Sequence, residues 1–442
     1  MPLINCKMLI DKLFDTADRN LLCNTAYPYQ KKLFEPYFSK ADLFAEVHEL
    51  SFYLHIPFCK QLCRFCEYTR FKAGDEEVES RYLDILQDQV HEFLDSHTIS
   101  MIYGMDIGGG TPTALSKREF ARLLWLSSKL ENAAKRSLDY EKSIEISFST
   151  IDEPKMELIA EYGFLRLSAG LQSSDRNLLS ENGRVVLNEK RIEKILLSAH
   201  KHGIKKVNLD LMYGLEGQSD DSIRKTLDSI ASLHPEQVTV YETRYNKYKK
   251  VPASVTRELQ YRQYCILYEG LIKHGYTGRF GANTFSSCGD DGLSSYIRNR
   301  MKYCVPYKGF GISAQSMTRN GISYGSLKNT KAHQMPPLEM LTEEYNYLLP
   351  ASEIAAKYVS VALYGGSFRL DILDEILGED SVAYFQTQLL FLLQRELINI
   401  VEKEVVLTEK GFRFYGAIAS LFWSEEQQQY LLDIMDKRGE HI

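Results

Sequence analysis

The sequence predicts an α/β protein built on a partial (β/α)6 TIM-like barrel, with an N-terminal extension and a smaller, mainly helical, winged-helix-like C-terminal domain. Strand-like and helix-like segments alternate from residue 51 to 245, which is typical of a parallel sheet with right-handed crossovers. Glycines and polar residues follow the strands, where such folds carry their chemistry. The length of 442 residues allows two or three domains, or one large barrel with additions.

The predicted barrel consists of six strands and the helices between them. The strands are expected at 51–56, 101–107, 143–147, 165–170, 206–211 and 237–241. Helical periodicity covers 76–96, 117–130, 153–162, 189–202 and 219–233. Six strands are too few for a closed eight-stranded barrel, so an open or partial barrel is expected.

The remaining chain divides into three regions around a barrel at 50–250. Residues 1–49 are rich in aromatic side chains and form an extension that we expect to wrap the barrel or cover its mouth. Residues 251–345 are less regular and complete the barrel. Residues 346–442 form the C-terminal domain, in which the segment 399–411 predicts a hairpin followed by a helix.

Composition and charge exclude several classes of protein. Apolar residues make up 44% and charged residues 25%, which is globular composition. The formal net charge of -6 argues against a nucleic-acid partner. No run of about 18 apolar residues predicts a membrane span, and the N-terminus lacks the pattern of a secretory signal. A cytoplasmic location is therefore expected.

Three of the eight cysteines are clustered as Cys59-x3-Cys63-x2-Cys66. Three thiolates on one loop can hold three irons of a [4Fe–4S] cube and leave the fourth iron open to a small molecule. Zinc is the alternative metal, but a structural zinc site needs a fourth ligand and usually two short motifs. Ordinary packing of the three thiols is the other alternative. The spacing favours the cluster.

The surroundings of the cysteines strengthen this interpretation. Tyr53 and His55 alternate on the strand that precedes the cysteines. The segment Gly108-Gly109-Gly110-Thr111-Pro112 follows the next strand. Glycines allow a backbone to approach a ligand that a Cβ atom would exclude. Alone this segment indicates a tight loop, whereas beside the cysteine loop it indicates a ligand site.

In this order, the motifs resemble the radical S-adenosylmethionine (SAM) superfamily. More narrowly they resemble its HemN-like branch, which includes the oxygen-independent coproporphyrinogen III dehydrogenases. Three later segments also match that branch: 166–184, 208–218 and 309–316. The resemblance extends from about residue 50 to 320.

The resemblance implies a [4Fe–4S] cluster on Cys59, Cys63 and Cys66 that cleaves SAM to a 5′-deoxyadenosyl radical. An electron would come from a low-potential donor such as flavodoxin or ferredoxin. Tyr53 and Glu145 would be the catalytic residues and contact the cluster-bound SAM. The main chain of Gly109, Gly110 and Thr111 would line its site. The branch's second-SAM positions correspond to Phe65, Gly110, Thr111, Gln172, Arg184 and Asp210. Ordinary ion pairs at the barrel rim are the alternative for the polar members.

One position departs from the branch. Tyr68 stands where the dehydrogenases carry a fourth cysteine. Relatives without that cysteine include haem chaperones, haem-ring-opening enzymes and methyltransferases. The expected substrate is a small conjugated molecule, namely a coproporphyrinogen III- or haem-like tetrapyrrole, or alternatively a heteroaromatic natural product. The Tyr and Arg residues of 241–248 and 296–307 contact this substrate or simply pack in loops.

Overall fold

The structure is a computed structural model that describes residues 2–19, 27–186, 188–245, 251–325 and 344–439. Its strands are β1 (Phe38–Ser39), β2 (Glu49–Ile56), β3 (Phe58–Cys59), β4 (Phe71–Lys72), β5 (Met101–Gly109), β6 (Lys135–Arg136), β7 (Lys142–Ile146), β8 (Arg166–Gln172), β9 (Lys206–Tyr213), β10 (Gln237–Glu242), β11 (Thr284–Ser286), β12 (Tyr307–Phe310), β13 (Gln315–Thr318), β14 (Gly321–Gly325), β15 (Glu344–Leu348), β16 (Ser367–Arg369), β17 (Ile398–Val401) and β18 (Glu404–Leu407). All six strands predicted for the barrel are present among them.

One large mixed sheet forms the centre of the molecule. Its strands lie in the order β1-β15-β14-β13-β12-β2-β5-β7-β8-β9-β10-β11, with β6 paired to β5. The predicted strands β2, β5, β7, β8, β9 and β10 are neighbours and pair in parallel. The prediction is therefore correct for this series. Among the described residues no pairing joins β1 to β11, so the sheet is open.

The sequence did not reveal a seventh parallel strand or the antiparallel additions. β12 pairs in parallel with β2, while β13, β14 and β15 continue the sheet in antiparallel pairs and β11 pairs antiparallel with β10. β12 has only four residues, Tyr-Lys-Gly-Phe, and this short polar segment has no apolar run to mark it as a buried strand.

Helices surround the sheets, and several of them begin at residues whose side chains cap the first turn. They are α1 (Pro2–Arg19), α2 (Glu76–Ser96), α3 (Lys117–Glu131), α4 (Glu153–Glu161), α5 (Arg176–Glu181), α6 (Glu189–Lys201), α7 (Asp220–Leu233), α8 (Arg257–Lys273), α9 (Ser295–Lys302), α10 (Ala351–Ala362), α11 (Leu370–Leu377), α12 (Ser381–Tyr384), α13 (Gln386–Gln394), α14 (Glu409–Phe412), α15 (Tyr415–Ser420) and α16 (Glu425–Gly439). Asp75, Ser116 and Asp152 accept hydrogen bonds from the backbone N–H groups of the first turns of α2, α3 and α4.

The C-terminal region contains a small sheet in the order β16-β18-β17, surrounded by α10 to α16. The expected hairpin is formed by β17 and β18, and α14 follows it. The N-terminal helix α1 packs on this region, where Phe14 contacts the rings of Phe391 and Phe414. Tyr29 stacks on Trp423. The part of the N-terminal extension that the structure describes therefore covers the C-terminal region as well as the sheet edge.

Buried apolar side chains form one continuous cluster that extends from α1 through the sheet to α16. The division into regions at 1–49, 50–250, 251–345 and 346–442 stays a prediction, as does the winged-helix likeness. No helix in the described part of the chain combines the length and apolar character that a membrane crossing needs.

Candidate active site

A cavity of about 750 Å³ opens at the carboxyl ends of the parallel strands. Eleven of the twelve predicted site residues line it: Cys59, Cys63, Phe65, Cys66, Gly109, Gly110, Thr111, Glu145, Gln172, Arg184 and Asp210. Parallel strands bring these residues together because their carboxyl ends meet at one edge of the sheet. The twelfth, Tyr53, lies beside the cavity on β2.

The cysteine loop is closed by backbone contacts and by one arginine. β3 and β4 pair across its base, opposing Cys59 and Lys72. Arg70 donates to the carbonyl oxygens of Cys63 and Cys66, at 2.6 and 2.9 Å. Arg70 therefore fixes the path of the backbone that carries two of the three thiols.

The thiols receive hydrogen bonds from two other predicted site residues. Thr111 Oγ1 lies 3.5 Å from Cys59 Sγ, and Arg184 donates to Cys63 Sγ at 3.7 Å. Burial raises the pKa of Cys59 to about 11, although the Thr111 hydrogen bond lowers it. Donors at a sulfur stabilise its negative form, which is the form that binds iron.

The donor set fits a [4Fe–4S] cluster with one open iron. Within the described ranges, no group of three or more His, Cys, Asp or Glu side chains converges on a point where a single metal ion could be held. A four-iron cube does not require such convergence, because each thiol binds a different iron. Three thiols around one cavity, each on the same short loop, match that requirement.

The glycine segment brings bare backbone to the cavity. Gly109 has a φ of +111°, and a Cβ atom there would collide with the ring of His55. A Cβ atom on Gly110 would approach the carbonyl oxygen of Ile56 to 2.8 Å. The backbone of Gly110 and Thr111 is fixed by bonds to the carbonyls of Ile56 and Phe58, at 2.6 and 2.8 Å. Glycine is therefore the only residue that fits at positions 109 and 110.

Two carboxylates lie on the floor of the cavity. Glu145 faces the open space and accepts a hydrogen bond from Gly109 N at 3.2 Å. Burial by the surrounding protein and the charge of Asp210 raise the pKa of Glu145 to about 8. Burial also raises the pKa of Asp210, while Asn208 and Ser168 donate to its oxygens and oppose that rise. Such carboxylates favour a ligand that brings a cationic or hydroxyl group.

Gln172 lies at a bulge in β8, where its backbone takes a φ of +69°. Its side-chain oxygen is buried and has no hydrogen-bond partner among the described residues. Arg184 donates to the Gly170 carbonyl oxygen on the same strand. A strained backbone that carries a buried, unpaired acceptor into a cavity is typical of a ligand site.

Tyr53 and His55 form the wall behind the glycine segment. The Tyr53 ring stacks on Tyr296 at 5.7 Å, and its hydroxyl lies 3.4 Å from His55 Nδ1. Burial lowers the pKa of His55 to about 4, so its imidazole is neutral at pH 7. Nε2 of His55 has no hydrogen-bond partner within the described residues.

The structure also reveals contributors that the sequence analysis did not single out. Arg70 holds the cysteine loop, while Ser168 and Asn208 hold Asp210. Tyr364 lines the cavity as well, together with Tyr68, the position that departs from the branch, and with Tyr241 and Arg244 of the expected substrate segment 241–248. The two-residue spacing along β8 places Ser168 on the same face as Gly170, which is a signal for it, but nothing local marks Tyr364, which follows α10. Residues 246–248 of the expected substrate segment lie outside the described residues.

Comparison with known proteins agrees with this geometry. Residues 53–230 match the model of the radical SAM superfamily. This matched segment carries the cysteine loop, the glycine segment and strands β5 to β9. The resemblance to the HemN-like branch is confirmed, because the chain is 27% identical over 427 residues to the oxygen-independent coproporphyrinogen III oxidase of Salmonella typhimurium, covering 88% of this chain and 89% of that protein.

Two further comparisons cover a shorter and a longer part of the chain. The heme chaperone HemW of Bacillus subtilis is 30% identical over 192 residues, covering 43% of this chain and 49% of that protein. The solved structure of coproporphyrinogen III oxidase (HemN) from Escherichia coli has a TM-score of 0.72 and 22% identity, covering 90% of this chain and 96% of that one. The fold of HemN therefore extends over most of this chain.

Proposed function

We propose that this chain is a cytoplasmic radical SAM enzyme that acts on a tetrapyrrole, either coproporphyrinogen III-like or haem-like. It would hold a [4Fe–4S] cluster on Cys59, Cys63 and Cys66 and use two molecules of SAM. Its electron would come from a small low-potential protein such as flavodoxin or ferredoxin. The similarity to coproporphyrinogen III oxidases over 88% of the chain supports the substrate class.

One observation carries the proposal. Three thiols, a bare glycine backbone and two carboxylates line one cavity of about 750 Å³. Each group is of the kind that SAM bound to an open iron requires. A [4Fe–4S] cluster on three thiols supplies, when bound, an iron for the amino and carboxylate groups of SAM and the electron that cleaves its sulfonium bond.

The residues of the chain would bind and orient the ligands. Binding of an ammonium group beside Glu145 would lower its raised pKa, so that the carboxyl would become a negative acceptor for that group, and its oxygens could also accept from a ribose hydroxyl. Gly109 and Gly110 would allow the ligand to approach the backbone. Tyr53, stacked on Tyr296, would support the wall behind the glycines and exclude water. We assign Tyr53 and Glu145 to the catalytic centre on this basis.

A second SAM would occupy the region lined by Phe65, Gly110, Thr111, Gln172, Arg184 and Asp210. The unpaired oxygen of Gln172 and the carboxylate of Asp210 are acceptors for its amino and hydroxyl groups. Arg184 already donates to Cys63 Sγ and the Gly170 carbonyl oxygen. It would therefore contribute positive charge near a ligand carboxylate without a large movement.

The proposal is tested by anaerobic iron–sulfide reconstitution followed by analysis of products formed with SAM and a reductant. We expect about four irons per chain and release of 5′-deoxyadenosine. Cys63→Ala should lose both. Cys288→Ala, an exposed thiol outside the cavity, serves as the matched control and should retain both. Equal activity of the two variants would contradict the proposal.

The products distinguish the reactions that the family offers. Loss of carbon dioxide from coproporphyrinogen III would identify oxidative decarboxylation. Formation of S-adenosylhomocysteine together with 5′-deoxyadenosine would identify methyl transfer, for which a heteroaromatic natural product is the alternative substrate. An opened linear tetrapyrrole from haem would identify ring cleavage.

A haem chaperone is the second candidate. The similarity to HemW of Bacillus subtilis supports it, and so does Tyr68, which occupies the position of the fourth cysteine in the dehydrogenases. A chaperone would transfer haem to an acceptor protein without releasing 5′-deoxyadenosine in proportion. Steady 5′-deoxyadenosine release that depends on a tetrapyrrole would exclude it.

A further inference from the structure

Tyr68 lines the cavity without being packed into its wall. It is 66% exposed, although it lies only two residues after Cys66. Within the part of the chain that the structure describes, its ring contacts no other aromatic ring and no cation, and its hydroxyl forms no hydrogen bond. A tyrosine normally satisfies both its ring and its hydroxyl, so the bare side chain needs an explanation.

The other aromatic side chains of the cavity have protein partners. The Tyr241 ring lies 6.3 Å from the Tyr364 ring. Phe65 packs against a small apolar cluster, and Phe148 is buried. Tyr68 therefore differs from its neighbours in offering both faces of a ring and a hydroxyl to whatever enters the cavity.

The exposure of Tyr68 does not come from a loose backbone. Arg70 donates to the Tyr68 carbonyl oxygen at 3.2 Å. The next residue, Thr69, accepts a hydrogen bond from the Ser313 hydroxyl at 2.8 Å. These two contacts fix the main chain on either side of the Cα atom. The ring is thus held at the cavity by its backbone and is left open on its faces.

The segment of Tyr68 meets a part of the chain that we have not assigned to SAM. Glu67, its neighbour in sequence, lies 3.8 Å from the guanidinium of Arg244, which follows β10. That guanidinium in turn lies over the ring of Tyr364, which follows α10. The residues proposed for SAM come instead from β2, β5, β7, β8, β9 and the loops after them. This separation favours the tetrapyrrole over the adenine of SAM as the ligand of Tyr68.

We propose that Tyr68 is a specificity-determining residue that stacks its ring on one pyrrole ring of the tetrapyrrole and hydrogen-bonds a polar group of the same ligand through its hydroxyl. The inference rests on the proposed function in taking the substrate to be a tetrapyrrole, and it adds a contact by which that substrate is recognised. A pyrrole ring is flat and aromatic, which suits stacking on a phenol ring. The cysteine that the dehydrogenases carry at this position offers no such face.

The stability of Tyr68→Ala separates a ligand contact from a packing role. Because the ring packs against so little of the protein, its removal should leave the free energy of unfolding unchanged. The reconstituted variant should also keep about four irons per chain, since the three thiols and the backbone of their loop are not altered. A clear loss of unfolding free energy would assign the ring to packing and overturn the inference.

Binding of coproporphyrin III tests the contact itself. Absorbance titration of the anaerobically reconstituted protein, with SAM present, gives its dissociation constant. Tyr68→Ala should weaken binding about 10- to 100-fold, as expected when a stacked aromatic side chain is lost. Tyr68→Phe keeps the ring and loses only the hydroxyl, so it should weaken binding roughly threefold. Equal constants for the unaltered protein and Tyr68→Ala would overturn the inference.

Two further measurements serve as controls. Tyr384→Ala removes an exposed tyrosine of α12 outside the cavity and should not change the constant for coproporphyrin III. The dissociation constant of SAM, measured by equilibrium dialysis without the porphyrin, should be the same in Tyr68→Ala as in the unaltered protein. If SAM binding weakens instead and porphyrin binding does not, the ring stacks on adenine and the inference is overturned.

The outcomes separate the inference from the proposed function. Failure of the unaltered protein to bind coproporphyrin III overturns the inference, whereas release of 5′-deoxyadenosine in the same preparation leaves the enzyme assignment standing. Conversely, porphyrin binding that depends on Tyr68 in a protein that does not cleave SAM would support the contact and overturn the enzyme assignment.

Discussion

The cavity has two sides that differ in charge and in construction. The cysteine side, formed by Cys59, Cys63, Cys66 and the glycine segment 108–110, is fixed by short backbone hydrogen bonds. The arginine side, which we define as Arg244 and Tyr364, lines the same cavity with side chains from segments far apart in the chain, and the Arg244 guanidinium lies over the Tyr364 ring. One side is compact and local, and the other is assembled by the tertiary structure.

This difference indicates that the two sides have different functions. The radical chemistry requires fixed distances between cofactor atoms, and a loop closed by backbone contacts supplies them. Recognition of a substrate requires charge and flat surfaces, and long side chains from several segments supply those. Variants on the two sides should therefore affect different measurements.

The largest effect is expected from Gly109→Ala on the cysteine side. The added Cβ atom would collide with the His55 ring and would also occupy a backbone with φ of +111°. Strain and overpacking together should lower the free energy of unfolding by about 4 kcal/mol. Denaturant unfolding measures this free energy, and the rate of SAM cleavage should fall in the same variant.

Gly163→Ala is the matched control for that variant. Gly163 also has a positive φ, +74°, but a Cβ atom there meets nothing within 4 Å. Gly163→Ala should lower the free energy of unfolding by only about 1 kcal/mol, because only the backbone conformation is strained. If the two variants lost equal free energies of unfolding, the close approach to His55 would not contribute to the loss.

Asp106→Asn, a change on β5 behind both sides of the comparison, should stabilise the folded protein at neutral and alkaline pH. Burial raises the pKa of Asp106 to about 7, although Arg166, Ser294 and Arg300 oppose the rise, and Glu141 supports it. Between pH 4 and 7 the unfolded chain loses this proton while the folded chain keeps it, so stability falls as pH rises. Asparagine does not ionise, so the variant does not lose this stability as the pH rises. We expect a gain of roughly 2 kcal/mol at pH 8 and almost none at pH 4.

Thermal unfolding of both proteins at pH 4 and pH 8 checks this expectation. Asp221→Asn, an exposed change at the start of α7, should show no such difference between the two pH values. A gain of the same size at both pH values for Asp106→Asn would mean that its ionisation is not the cause.

Arg70→Met should loosen the cysteine loop without removing a thiol. The change deletes the hydrogen bonds to the carbonyls of Cys63 and Cys66. We expect the reconstituted protein to lose iron to a chelator about tenfold faster, as for one strong hydrogen bond to a charged group. Arg64→Met, an exposed arginine of the same loop, is the control. Identical rates for both variants would contradict the role of Arg70.

Sequence analysis predicted most of the cysteine side, because its signals are local. The spacing of Cys59, Cys63 and Cys66 and the three glycines lie in short motifs, and the alternation of strands and helices placed them at one edge of a sheet. The Tyr and Arg residues of 241–248, which include Arg244, and those of 296–307 were left open between substrate contact and loop packing, and Tyr364 was not singled out. Arg244 meets Tyr364 only through the packing of distant segments, and a short strand such as β12 has no periodic signal.

Mössbauer spectroscopy of protein reconstituted with ⁵⁷Fe, recorded before and after adding SAM, tests the central claim most directly. A cluster held by three thiols has one iron without a protein ligand. The account predicts that one iron in four changes its signal when SAM is added, and that Cys63→Ala lacks this cluster. Four irons that remain equivalent and unchanged with SAM present would contradict it.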